Sequence, residues 1–155
     1  MARRYDQACP VAKSLEVVGE RWTLLVVRDL LPGPRRFADL EASLPGIAPN
    51  ILSERLKVME EHGLIRRTFY SDHPPRAAYE LTERGRDLGL VVSALAAWGS
   101  RHVHRSTALV HTDCGHPVQL GYFCTDCDTR VRGRSVRLGR AAGAKRNGTS
   151  PRPTT

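Results

Sequence analysis

Residues 37–81, FADLEASLPGIAPNILSERLKVMEEHGLIRRTFYSDHPPRAAYEL, decide the fold. Phe37, Leu40 and Leu44 recur at helical spacing, and Pro45-Gly46 makes a tight turn. A further helix runs from about Ala48 to His62, with Pro49 near its start and Gly63 just past its end. Two short helices joined by a turn of a few residues form a helix-turn-helix. A plain helical hairpin has the same pattern, so the next stretch is decisive. Ile65–Tyr70 reads as a strand, Ser71–Pro75 as a turn cluster and Ala77–Leu81 as a returning strand. A hairpin directly after a helix-turn-helix is the wing of a winged helix.

On the N-terminal side, Cys9-Pro10 opens a helix with Val11, Leu15 and Val18 at helical spacing and Gly19 as its stop. Arg21-Trp22-Thr23 leads into another, with Thr23 as N-cap. Leu24, Leu25, Val26, Val27, Leu30 and Leu31 crowd most of its circumference, which makes it the buried centre. Pro32-Gly33-Pro34 ends it. Beyond the wing, Thr82 is the expected N-cap of one long last helix. Leu88, Val91, Val92, Leu95 and Trp98 line one side of it. A helix at the margin of a small domain needs less apolar surface than that, so a dimer interface is expected there. Packing on the chain's own core is the alternative.

The chain resembles the HxlR-type transcriptional regulators. The resemblance is carried by Cys9-Pro10, Arg21-Trp22-Thr23, Gly33-x-x-Arg36-Phe37-x-x-Leu40, Gly46-Ile47, Leu52-x-x-Arg55-Leu56-Lys57, Gly63-Leu64-Ile65-x-Arg67, Tyr79-x-Leu81-Thr82-x-x-Gly85 and Trp98. It covers roughly residues 8–103. It implies a homodimeric winged-helix protein on double-stranded DNA, at a palindromic operator, acting as repressor or activator. Several such proteins sense electrophiles or oxidants through an N-terminal cysteine. Ala77-Ala78 stand where bulkier or charged residues are common, which bears on the wing's contacts and not on the fold.

The helical wheel of the 48–62 helix sorts its residues without that resemblance. Leu52, Leu56 and Met59 fall in one arc and face the core. Asn50, Ser53, Glu54 and Lys57 lie opposite, toward the N-terminal end that reaches base edges in the major groove. Asn can bond adenine, Lys a guanine or a phosphate, Ser several bases and Glu the cytosine amino group. Arg55 sits between the faces, open to a phosphate contact or an ion pair. Arg76 flanks the wing tip, where a guanidinium can enter the minor groove. Arg67 and its neighbour Arg66 flank the wing, and Arg36 with Arg35 begins the helix before the turn; these are phosphate candidates, which position a protein without reading sequence.

From His104 the composition changes. His111-x-x-Cys114 and Cys124-x-x-Cys127 are two ligand pairs, each followed by a turn-forming residue, Gly115 and Asp128. This is zinc-ribbon spacing with one Cys replaced by His, and it predicts a structural zinc. His116 competes with His111 as the fourth ligand. A module of ~30 residues has too little core to fold unaided, which favours a metal staple. Leu109-Val110, Leu120–Phe123 and Val131–Leu138 are its three expected strands. The alternatives are a thiol-redox protein that turns over Cys124-x-x-Cys127, and an interaction module whose ribbon binds RNA or protein.

Of 155 residues, 24 are Lys or Arg and 16 Asp or Glu, a net charge of +8. Residues 128–155 carry +7 of it and residues 1–127 only +1, so DNA binding by the main body rests on pattern rather than bulk charge. The expected organisation is a mainly α winged helix with a small β-wing over 8–103, a zinc-ribbon-like module over 108–138 and a basic disordered tail over 139–155. No run approaches the ~20 apolar residues of a membrane span, and the N-terminus lacks the apolar stretch of a signal peptide. The expected location is therefore cytoplasmic, away from membranes. There is no Walker loop, dinucleotide fingerprint, HExxH or GxSxG, so nothing supports an enzyme. Cys9 occupies the N-cap region of the first helix, with Arg3, Arg4 and Lys13 near in sequence. A helix N-terminus favours negative charge, so Cys9 is the candidate redox sensor for an electrophile or other small-molecule inducer. Packing at an interface is the other use for a cysteine there.

Overall fold

The computed structural model describes residues 5–72, 75–105 and 109–139, with backbone alone for 70–72 and 75. The chain divides into two compact units, residues 1–118 and 119–155. The first holds helices α1 (Pro10–Val18), α2 (Thr23–Leu30), α3 (Phe37–Ser43), α4 (Pro49–Glu61), α5 (Glu83–Arg86) and α6 (Leu88–His102), with strands β1 (Arg35–Arg36), β2 (Ile65–Asp72) and β3 (Pro75–Leu81). The second holds a hairpin of β4 (Tyr122–Cys124) and β5 (Thr129–Val131) and a 3-10 turn over Gly133–Ser135. Among the described residues no helix is long and apolar enough to cross a membrane.

The core gathers Val26, Val27 and Leu30 of α2, Leu40 and Leu44 around α3, Leu52, Leu56 and Met59 of α4, and Leu64, Ile65 and Leu81 at the base of the wing. These are the positions that a 3.6-residue period puts on one face of each helix. At the end of α4, Leu64 N–H reaches back to the Met59 carbonyl at 2.9 Å while Gly63 takes φ +65. That left-handed closure strains any residue with a Cβ, and it aims the chain into β2. Thr82 fastens the other end of the hairpin: its hydroxyl donates to the Gly63 carbonyl at 2.7 Å and accepts from Gly85 N–H at 3.1 Å.

Several elements differ from expectation. The sheet has three strands in the order β1-β3-β2, all antiparallel, because Arg35 and Arg36 pair with Tyr79 and Ala78 before α3 begins. Two residues are too few for an alternation to be visible in sequence. Thr23 is not the N-cap of α2. Trp22 takes that place with a left-handed backbone, φ 80, and Thr23 is buried as the first helical residue. The one long helix after Thr82 is two, α5 and α6, meeting at Asp87. In the second unit, Val131–Leu138 is not a strand beyond Val131, since a 3-10 turn takes over at Gly133. The strand expected over Leu120–Phe123 is β4, two residues later, and Val110 forms only an isolated bridge to Pro117. The turn at His73-Pro74, the linker 106–108 and the tail from 140 onward lie outside the described residues.

Candidate nucleic-acid interface

Helix α4 starts with Pro49 in its first turn and Ala48 as an extended cap whose carbonyl accepts from Leu52 N–H at 3.0 Å. Asn50, Ser53, Glu54 and Lys57 are all exposed, while Leu52, Leu56 and Met59 are buried behind them. The polar face thus stands exposed from the first turn of the helix to Lys57. Lys57 is only loosely tied to Glu61, at 3.9 Å with both side chains well exposed. Glu54 also borders a cavity of about 230 Å³ against α1, lined by Glu16, Glu20, Arg55, Val58 and His62 among others.

Arg55 is turned away from this face. Its side chain is 11% exposed, and its Nη2 lies 3.7 Å from Glu20 Oε2. Of the two uses open to it from sequence, the ion pair is the one whose geometry is present. A guanidinium held this way cannot reach a phosphate without leaving its seat.

The remaining arginines are exposed on the three strands of the small sheet. Arg36 is exposed at the junction of β1 and α3, and its backbone N–H donates to Asp39 Oδ2 at 3.1 Å. Arg67 on β2 lies over the Phe69 ring at 4.7 Å, two residues along the same face, with Tyr79 directly across. The aromatic ring thus fixes the guanidinium's direction. Arg76 is exposed at the start of β3. Arg66 is engaged: its Nε donates to Glu80 Oε1 at 2.7 Å. That bond holds the Glu80 carboxyl below its ordinary range and raises Arg66.

Sequence reasoning missed Phe69 as a support for Arg67 and Leu90 as part of the exposed apolar surface of the last helix. On α1 the buried positions are Ala12 and Val18, while Val11 and Leu15 face outward. On α6, Leu88 and Val92 pack against the core, but Leu90, Val91, Leu95 and Trp98 are exposed, Leu90 at 68% and Trp98 at 59%. Helical periodicity reports which apolar residues share a side. It does not report which side the chain itself covers.

Cys9 caps α1 by its backbone: its carbonyl accepts from Lys13 N–H at 3.0 Å, and its side chain is half-buried. Arg3 and Arg4 lie outside the described residues. In the first unit, His111 Nδ1 lies 3.2 Å from Cys114 Sγ, and Gly115 N–H bonds the His111 carbonyl at 2.8 Å with φ +70. His116 is exposed, and its carbonyl accepts from His111 N–H at 2.9 Å. In the second unit, the backbone N–H groups of Cys127 and Asp126 and the Cys127 thiol bond the Cys124 sulfur. The Cys127 amide contributes most to holding the Cys124 thiol below its ordinary range, and the same thiol contact pushes Cys127 up. Asp128 follows at φ 51. Among the described residues no three His, Cys, Asp or Glu side chains are grouped so as to hold a metal ion.

The model of the HxlR-like helix-turn-helix family matches residues 17–107. An uncharacterized HTH-type transcriptional regulator of Mycobacterium tuberculosis, Rv3095, is 41% identical over 130 residues, covering 81% of this chain and 82% of its own. The solved structure of PA1607 superposes with a TM-score of 0.75 at 33% identity, covering 88% of this chain and 97% of that one. Coverage of 88% exceeds the first 107 residues, so the likeness runs into the part that follows the family domain. The redox regulator HypR in its oxidized form is 32% identical, with a TM-score of 0.58, over 61% of this chain and 97% of its own.

Proposed function

This chain belongs to the HxlR-like helix-turn-helix family, transcriptional regulators that are not enzymes, and from that membership we propose that it is a homodimeric repressor or activator reading a palindromic operator. One observation carries this reading: Asn50, Ser53 and Glu54 in the N-terminal half of α4, and Lys57 one turn further on, are exposed while the other face of the helix is buried in the core. That is the presentation a recognition helix needs to bring side chains to base edges. Arg36, Arg67 and Arg76 serve as phosphate or minor-groove contacts around it. The dimer is supported by the apolar side chains of α6 and α1 that the chain leaves uncovered.

The test is selection of bound DNA from a random pool with the full chain. The expected consensus is an inverted repeat whose half-sites lie about one DNA turn, roughly 34 Å, or a multiple apart. Asn50→Ala should cost on the order of 1–3 kcal/mol on that consensus and relax preference at one base pair per half-site. An unchanged consensus and affinity would remove Asn50 from the reading face. Binding of equal strength to all sequences would remove operator recognition.

The finer reading is that binding answers to oxidants or electrophiles through Cys9. Its support is a half-buried thiol at the first turn of α1, beside the outward-facing Val11, together with the likeness to a redox regulator.

A further inference from the structure

The second unit poses a physical problem. Among its described residues, 119–139, none is buried, and Leu120, Tyr122, Phe123, Val136 and Leu138 are all exposed. Its regular structure is one hairpin of three-residue strands. An isolated two-stranded hairpin is marginal in water, and a unit this small needs a staple where it has no core. Yet the turn of this hairpin is closely specified. β4 ends on Cys124, paired with Thr129 at the start of β5, so the four residues 125–128 are the turn. Two backbone N–H groups, from Asp126 and Cys127, converge on the Cys124 sulfur, and the Cys127 thiol also reaches it. Asp128 then takes a left-handed backbone, φ 51, which Asp tolerates better than most residues with a Cβ.

We propose that Cys124 and Cys127 are a bidentate thiolate clamp for a structural zinc ion, and that the metal is what holds the β4–β5 hairpin. The clamp closes a four-residue turn whose backbone already brings the two sulfurs together and offers N–H donors to one of them. Such donors offset the negative charge that builds on a metal-bound thiolate. Soft sulfur ligands select zinc over the hard divalent cations. On binding, each thiol gives up its proton to solvent and each sulfur donates a pair to the metal, so two protons leave per zinc bound. The clamp fills two of the four positions of a tetrahedral ion.

The experiment uses the full chain, purified under reductant and without chelator. Elemental analysis should give about one zinc per chain. Cys124→Ser and Cys127→Ser, made singly, should each bring the content to a trace, whereas Cys9→Ser should keep it. DNA binding by each variant verifies that the first unit is folded, so loss of zinc is read against an intact winged helix. Cobalt added to stripped protein should give thiolate-to-metal charge-transfer absorption that Cys124→Ser and Cys127→Ser each diminish. Chelation should collapse the amide protection of 122–131. Reduced wild-type protein with neither zinc nor a cobalt–thiolate band would overturn the proposal. So would undiminished zinc in the Cys124→Ser, Cys127→Ser double variant, or a Cys124–Cys127 disulfide with no metal as the native state.

Discussion

At the residue scale, the start of α2 shows core burial overriding local preference. A threonine before an apolar run favours the cap position, because its hydroxyl can accept from the helix's free N–H groups. Here Thr23 is one residue inside, only 1% exposed, and its Oγ1 has no hydrogen-bond partner among the described residues. Trp22 takes the cap instead, with a left-handed backbone that costs of order 1–3 kcal/mol in a residue of this kind. The strain is offset by seating its ring against the core and under the Arg21 guanidinium, 4.7 Å from the centroid. None of this is legible in residues 21–24, since local chemistry says nothing of how deeply α2 is sunk. It makes a prediction. An unpaired buried hydroxyl costs about 1–3 kcal/mol in lost solvation, and valine keeps the shape without it. Thr23→Val should therefore raise the unfolding free energy by about 1 kcal/mol, seen as a higher urea midpoint at an unchanged slope. An unfolding free energy that falls by that amount would mean the hydroxyl has a partner in solution.

Elements were legible where a period runs long enough to count. The faces of α4 follow from thirteen residues with Leu52, Leu56 and Met59 in one arc, so the placing of Asn50, Ser53 and Lys57 at the surface could be read from sequence. Two-residue β1 could not, and neither could the break at Asp87, where the residues on both sides are good helix formers. The wing's strands were legible, but their cross-strand chemistry needed the register. Arg66 stands opposite Glu80, and Thr68 donates to the same carboxylate at 3.3 Å. These partners, Arg66 first, hold Glu80 below its ordinary value of about 4.3. A carboxyl whose pKa falls on folding stabilises the folded state above its unfolded value, and that contribution is lost as pH drops through the lowered one. The wing should thus loosen on acidification below about pH 4, seen as faster hydrogen exchange across β2 and β3 relative to α2. Glu80→Gln should flatten that acid limb. A limb of the same depth in the variant would assign the loss to other carboxylates. The effect is small, since Arg66 is 68% exposed and the pair is screened by solvent.

For the whole molecule, sensing is a question of how one thiol could govern a DNA-bound dimer. Cys9 is distant in sequence from α4, and the residue that follows Pro10 is Val11, apolar and 52% exposed. Val11 and Leu15 form an outward stripe on α1 that the chain itself does not cover, as Leu90, Val91, Leu95 and Trp98 do on α6. If these stripes are dimer contacts, an adduct or oxidised sulfur at Cys9 adds bulk and polarity at the edge of one, and the spacing of the two α4 helices changes with it. Operator affinity depends steeply on that spacing, because both half-sites must be engaged at once. The expected outcome is that a quinone or peroxide releases wild-type protein from the selected operator at a lower dose than it releases Cys9→Ser. Three further thiols complicate the reading, since Cys114, Cys124 and Cys127 are also free and two of them are exposed. Zinc content and mass of the modified protein must therefore be followed along the same titration. Release that tracks Cys9 modification while the metal stays bound supports sensing at α1. Release at equal dose in wild type and Cys9→Ser removes Cys9 from that role, and release that instead tracks loss of zinc would move the response to the second unit.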